Sequence, residues 1–175
     1  MADTQDCNHT QISVPDTITR NGTAQEASPF AQLVAYFERE HTGRFLLDAE
    51  KQAVQWVFTG ENGTYTLVVR WDEKAERLLI RVPSIATVPP EKYVATAVLI
   101  NLINWKLGIG NFQLDIADGE LAFRGYLLVG DGKLGQKQVK SHCLASTVAV
   151  DFFMPAFQRL FWSDASPEEA LASLE

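Results

Sequence analysis

The apolar residues between positions 89 and 107 lie almost all the way around a predicted helix. They are Tyr93, Val94, Val98, Leu99, Ile100, Leu102, Ile103 and Trp105. Pro89 and Pro90 suit the first turn of this helix, and Gly108 and Gly110 suit its end. A helix that is apolar on every side needs cover on more than one side. This helix is therefore either the central core helix or a helix whose second face contacts another chain.

Other hydrophobic patterns predict an α+β fold around that helix. Apolar residues at i, i+3, i+4 and i+7 predict a first helix over 29–40. Alternating apolar and polar residues predict strands over 54–59, 64–71, 77–82, 111–117 and 120–129. Asn62-Gly63 is a turn signal in the first connection, and Asp118-Gly119 predicts a two-residue hairpin between the last two strands.

Helical patterns return after the last strand. A long helix is predicted over 134–161, where Pro155 should kink or split it, and a short helix begins at Pro167. The element order is α-βββ-α-ββ-α. We therefore expect an α+β fold in which an antiparallel sheet of about five strands is flanked by helices. Because each strand has one mainly apolar face, the helices should cover only one side of the sheet.

The distribution of apolar residues also indicates the domain organisation. Residues 1–28 are polar, and Ile12, Val14 and Ile18 are their only sizeable apolar residues, so we expect a flexible N-terminal tail. The chain of 175 residues is 46% hydrophobic, which is typical of one globular domain. We expect that domain over 29–175.

Charge and cysteine content exclude several classes of partner and site. The net charge is −7 and basic clusters are short, so we expect no nucleic-acid partner. Cys7 and Cys143 are far apart in the sequence and predict neither a disulfide framework nor a metal site. The first ten residues lack the pattern of a secretory signal, and no apolar run is long enough to span a bilayer. We therefore expect a cytoplasmic protein without a membrane partner.

No motif in the sequence predicts catalysis or a bound cofactor. The glycine-rich stretch G-D-G-K-L-G lacks the spacing of a phosphate-binding loop. His142 and Cys143 are adjacent, and side chains adjacent on a helix point in different directions. We interpret this pair as ordinary helix residues, although a distant base could still activate the thiol. We expect no enzyme, no cofactor and no metal.

Asn101 and Asn104 are the unusual residues of the apolar helix. Asparagine is a poor helix former, and a buried amide needs hydrogen-bond partners. One interpretation is a structural polar pair that ties the helix to the following loop or a neighbouring strand. The other is a pair that marks a binding surface.

The helix-to-hairpin run carries a resemblance to a known family. The Asn-x-x-Asn pair at 101 and 104, the Gly-x-Phe-x-x-Asp at 110–115 and the acidic-Gly hairpin at 118–119 resemble bacterial YbjN-domain proteins. The resemblance extends over about residues 30–172 and includes G-E-N-G-T-Y-T-L-V-V-R-W-D-E and S-P-E-E-A-L. It implies a fold similar to type III secretion chaperones, frequent homodimers, and a non-enzymatic role as a regulator. It brings no catalytic residues.

Two functional hypotheses follow from the sequence. The first is a homodimeric, chaperone-like or regulatory module that binds a segment of a partner protein. Its candidate dimer or partner surface is Tyr93, Leu99, Ile103 and Trp105. The alternative is a small-ligand sensor domain, with a pocket between sheet and helices lined by Trp56, Trp71, Tyr126 and Trp162.

Overall fold

A computed structural model describes residues 27–41, 43–83, 87–130 and 133–174. Its described strands form one antiparallel sheet in the order β1-β2-β3-β4-β6-β5. The strands are β1 (Phe45–Asp48), β2 (Ala53–Thr59), β3 (Thr64–Asp72), β4 (Arg77–Val82), β5 (Asn111–Leu114) and β6 (Leu121–Leu128). The expected polar tail over 1–28 lies outside the described residues except for its last two positions.

The sheet has one strand more than the sequence predicted. The missed strand is β1, which has four residues and an irregular burial pattern, so alternation could not reveal it. The last hairpin also differs, because Asp115 pairs with Glu120 and leaves a four-residue loop. Gly119 closes that loop with a φ of 80°, a conformation that favours glycine. The prediction of a two-residue hairpin is therefore wrong, although the turn signal marks its position.

The helices lie against one face of the sheet. They are α1 (Pro29–Glu40), α2 (Tyr93–Lys106), α3 (Gln136–Trp162) and α4 (Pro167–Ala172), and a short 3-10 helix, Pro90–Lys92, precedes α2. The long helix α3 packs on β4 and β6, with α1 on one side of it and α2 and α4 on the other. Pro155 does not split α3. The expected α+β architecture with helices on one face is confirmed.

Strand alternation sorts the side chains between two different faces of the sheet. Toward the helices, the central strands place fully buried residues such as Leu67, Leu78 and Phe123. Toward the other side, Arg70, Arg124 and many further side chains are half-buried or exposed. The core therefore lies in a single layer between the sheet and α3.

Asp151 of α3 holds the turn between β2 and β3. Its carboxylate accepts the backbone N–H groups of Glu61 and Asn62, both at 2.9 Å, and the hydroxyl of Tyr65 at 3.1 Å. Since proline has no N–H, Pro155 leaves the carbonyl of Asp151 without its usual helical donor. The Asn62 side-chain amide donates to that carbonyl at 3.0 Å. One residue therefore joins the β2–β3 turn to the middle of α3.

Replacing Asp151 should destabilise the fold. In Asp151→Ala, two turn N–H groups and the Tyr65 hydroxyl lose a charged acceptor, and we expect the free energy of unfolding to fall by about 2 to 3 kcal/mol. Urea denaturation followed by circular dichroism measures this change. The control Asp164→Ala removes an exposed carboxylate after α3 and should change stability by about 0.5 kcal/mol or less. Equal stability of the two variants would contradict the assigned role of Asp151.

Candidate functional site

An open groove lies beside the β2 end of the sheet. Its volume is about 720 Å³. It lies where the helix-facing side of β2 extends past the cover of α1 and α3. Its lining residues are Glu40, His41, Arg44, Trp56, Val57, Phe58, Thr59, Gly60, Thr147, Val148 and Asp151. We call this cavity the β2 groove.

A row of aromatic rings forms one side of the β2 groove. The rings of His41 and Trp56 have centroids 4.2 Å apart, those of Trp56 and Phe58 are 5.7 Å apart, and those of Phe58 and Tyr65 are 5.0 Å apart. Tyr65 is buried, whereas Trp56 and Phe58 are half-buried. These two rings are thus held in place by neighbours on both sides and remain accessible from the groove.

An apolar stripe of α3 forms the facing wall. Leu144, Val148 and Phe152 lie at i, i+4 and i+8 on one side of the helix, and each is more than half exposed. Val148 lines the groove, and the other two residues extend the stripe by one turn in each direction. The groove is therefore apolar along its aromatic side, whereas α3 contributes Thr147 and Asp151 beside Val148.

Charged groups lie at the rim of the groove. The Glu40 carboxylate accepts from Arg39 at 3.0 Å and from Lys140 at 3.4 Å, and these hydrogen bonds lower its pKa. The Asp151 carboxylate already accepts hydrogen bonds from the β2–β3 turn. Arg44 is exposed and has no carboxylate partner among the described residues. The rim thus offers one unmatched positive charge.

The pairing of β2 beside the groove differs between its two edges. Strand β1 pairs with β2 only as far as the pair of Phe45 and Trp56, whereas the pairing of β2 with β3 continues to Thr59. The backbone groups of Gln52 and Gly60 form hydrogen bonds on the β3 side of β2. Because successive residues of a strand point their backbone groups to alternate edges, the odd-numbered residues of β2 point theirs to the β1 side. The backbone N–H and C=O of Thr59 have no strand partner within the described ranges.

For two of the four residues predicted to form a dimer or partner surface, the prediction is wrong because they are buried. Leu99 and Ile103 are 0% exposed and belong to the core beneath α2. Tyr93 is half-buried. Trp105 is 91% exposed, and Val94 and Val98 are exposed on the same side of α2. One side of the helix is therefore core and another is exposed, and contact of the exposed side with another chain stays a prediction.

The two asparagines of α2 have separate positions. Asn104 accepts the Phe112 N–H at 2.8 Å and donates to the Phe112 carbonyl at 3.1 Å. This bidentate contact confirms that Asn104 ties the helix to the following strand β5. Asn101 is exposed instead and lies between Val98 and Trp105 on the uncovered side. They are therefore not a structural pair.

The aromatic pocket of the alternative hypothesis does not form. Trp56 lines the β2 groove, whereas Trp71 is buried in the core. Tyr126 lies on the opposite face of the sheet, and Trp162 is exposed at the end of α3. The sequence missed the roles of His41 and Asp151, because no pattern along the chain shows which turns meet which helix.

The geometry around Cys143 does not support a nucleophile. Burial raises the pKa of the Cys143 thiol to about 12, so it is protonated at neutral pH. The His142 ring lies 3.0 Å from the Gln138 carbonyl of its own helix. Among the described residues, no three metal-ligating side chains cluster, and no helix has the length and apolar character needed to cross a membrane.

This chain is similar to three solved structures. The crystal structure of E. coli YbjN, titled "a putative transcription regulator", is 18% identical with a TM-score of 0.52, covering 69% of this chain and 84% of that chain. A chain of the ExsC–ExsE complex is 13% identical with a TM-score of 0.51, covering 78% and 95%. A chain of the HopA1–SchA chaperone–effector complex is 15% identical with a TM-score of 0.48, covering 67% and 88%.

The comparisons identify the fold class first and then the family. The fold is α+β and similar to type III secretion chaperones, as the resemblance implied. The family model of YbjN, described as "putative bacterial sensory transduction regulator", matches residues 31–159. The chain therefore belongs to the YbjN family. No curated protein matches it.

The partial burial of His41 beside Trp56 should make stability depend on pH. Burial lowers the pKa of His41, so the folded state binds its proton less readily than the unfolded chain does. Stability should therefore fall as the pH decreases below about 6.5, the ordinary histidine value. Urea denaturation at pH 7.5 and pH 5.5 measures this loss.

Two variants test whether protonation of His41 causes this pH dependence. His41→Gln should show a smaller loss between pH 7.5 and 5.5, because it cannot take up the proton. The control His142→Gln should keep the full dependence. An unchanged dependence in His41→Gln would show that other groups cause it.

Proposed function

We propose that this chain is a non-enzymatic, cytoplasmic protein-interaction module whose β2 groove binds an extended segment of a partner protein. The observation that carries the proposal is the backbone of Thr59, which has no strand partner within the described ranges and lies beside two accessible aromatic rings. A segment that continues the line of β1 can hydrogen-bond to the edge at Thr59. Residues opposite each other on paired strands share a face, so its side chain opposite Phe58 would enter the groove.

The groove composition supports a peptide rather than a reaction. The apolar stripe at Leu144, Val148 and Phe152 continues beyond the groove and offers contacts to a segment several residues long. The chemistry considered in the sequence centred on Cys143, whose thiol is buried and protonated. The ExsC–ExsE structure is a complex of two proteins in which one has this fold. The proposal extends such a use of the fold to this chain.

A substitution in the groove wall should weaken peptide binding. Phage-displayed random 12-residue peptides are selected on the full chain, and the affinities of the selected peptides are measured by fluorescence anisotropy. Val148→Glu places a charge on the apolar wall and should weaken binding at least tenfold. The matched control Val94→Glu makes the same exchange on α2 and should leave the affinity unchanged. The groove would be overturned as the site if no selected peptide bound Val148→Glu more weakly than Val94→Glu.

A homodimer through α2 is a separate part of the proposal. Val94, Val98, Asn101 and Trp105 follow one another at intervals of four, three and four residues and form one stripe. Val94 is 80% exposed and Trp105 is 91% exposed. Such a stripe is typical of a helix that pairs with another helix. Asn101 in its centre would fix the register by pairing with a polar group of the second copy.

Substitutions in this stripe should dissociate the dimer without unfolding the chain. We expect dimers in sedimentation velocity at micromolar concentrations. Val98→Glu combined with Trp105→Ser should raise the dimer dissociation constant at least tenfold, because both side chains are exposed in the single chain. Leu99→Glu would unfold the chain instead, since Leu99 is buried. Val148→Glu serves as the control that keeps the dimer, and a monomeric wild type up to 100 μM (roughly 5 kcal/mol of association) would overturn this part.

A further inference from the structure

The uncovered face of the sheet has a block of nine side chains on three adjacent strands. In register across β3, β4 and β6 they form three rows: Asp72, Arg77 and Leu128; Arg70, Leu79 and Tyr126; Val68, Arg81 and Arg124. We call this block the arginine face. It contains four arginines and no lysine, although the whole chain has a net charge of −7.

Two of the four arginines are neutralised within the chain. Arg77 donates two hydrogen bonds of 3.2 Å to the Asp72 carboxylate. Arg81 pairs with Glu120. Arg70 and Arg124 are exposed, and neither has a carboxylate partner among the described residues. The arginine face therefore has two unmatched positive charges.

The pairing register makes these charges costly in the free chain. Arg81 and Arg124 lie directly opposite each other on β4 and β6, and like charges in that position destabilise a sheet. Glu120 compensates only one of them. The Nε of Arg81 is buried without a hydrogen-bond partner in the described part of the chain. A carboxylate bound to Arg124 would reduce the repulsion between Arg81 and Arg124.

The apolar residues of the arginine face are also uncovered. Tyr126 is 57% exposed and Leu128 is 68% exposed. Tyrosine and arginine are enriched in the centres of protein interfaces, whereas lysine is depleted there. A face that combines both types with no lysine has the composition of an interface rather than of an ordinary solvated sheet surface.

We propose that the arginine face binds an acidic segment of another protein, whose two carboxylates pair with Arg70 and Arg124. Arg70 and Arg124 are two strands apart, at about 4.8 Å per strand, and offset by two residues along the strand, at about 3.4 Å per residue. Their Cα atoms are therefore about 12 Å apart. The segment therefore needs two acidic residues at a comparable separation and an apolar residue between them for Leu79 and Tyr126. This surface lies on the opposite side of the sheet from the β2 groove.

Nucleic acid fits this face less well. Asp72 and Glu120 are part of the arginine face or its border, and Asp115 lines the adjacent 260 Å³ cavity with Arg81 and Arg124. These carboxylates would repel a continuous phosphate backbone, and the net charge of −7 would add to the repulsion. Two separate carboxylates on an apolar segment match the two unmatched arginines and bring fewer negative charges close to these carboxylates.

A counter-selection tests the proposal with the full chain. Phage-displayed random 16-residue peptides are selected on the wild type and depleted on Arg70→Gln/Arg124→Gln. We expect survivors that carry two acidic residues flanking an apolar residue, bind at least tenfold more weakly to the double variant, and lose affinity when the acids become amides. The control Arg159→Gln removes an exposed arginine of α3 and should keep the affinity. Circular dichroism shows that the variants are folded.

Three outcomes would overturn the proposal. The first is that no peptide survives, and the second is that the survivors lack acidic residues. The third is that a 12-nucleotide oligothymidylate binds more tightly than the peptides, which would indicate a nucleic-acid surface. Survivors should also bind Val148→Glu with unchanged affinity. This last measurement separates the arginine face from the β2 groove, because either surface can fail while the other binds.

Discussion

The contact between Asp151 and the β2–β3 turn is the constraint on which the candidate site depends. A proline inside a helix removes one hydrogen bond, costs about 3 kcal/mol and leaves a carbonyl without a donor. Here Pro155 frees the carbonyl of Asp151, and the Asn62 amide donates to it. The carboxylate of the same residue accepts two further N–H groups of the turn. The helix defect and the turn therefore compensate each other, which fixes α3 relative to the end of β2.

This constraint explains why the β2 groove stays open. With the turn attached to the middle of α3, the helix cannot slide over the last residues of β2. Trp56 and Phe58 face the helix layer, as their alternation requires, but no helix side chain covers them completely. The stacking with His41 and Tyr65 limits the movement of both rings. An apolar surface that the fold itself cannot close is then available to a partner.

The hydrophobic pattern predicted α1, α3 and all but one strand because burial enforces a period in each. Helix α2 is apolar almost all the way around, so its bounds came from the flanking prolines and glycines, and the start of α4 came from Pro167. The pattern could not show that Leu99 and Ile103 are core while Trp105 is exposed, since all three are apolar residues of one helix. Asn104 was interpretable because a buried amide must find partners nearby. Asp151 was not, because its partners lie about 90 residues away along the chain and only tertiary structure brings them together. The arginine face was hidden for the same reason, since strand register decides which arginines become neighbours.

The three uncovered surfaces differ in what can cover them. The β2 groove offers a backbone edge and rings, which suits a segment without structure of its own. The stripe on α2 offers side chains at helical spacing, which suits another helix. The arginine face offers charge and aromatic area on a pleated surface, which suits an acidic partner. Because the groove and the arginine face lie on opposite sides of the sheet, we propose that a segment in one leaves the other accessible to a second partner.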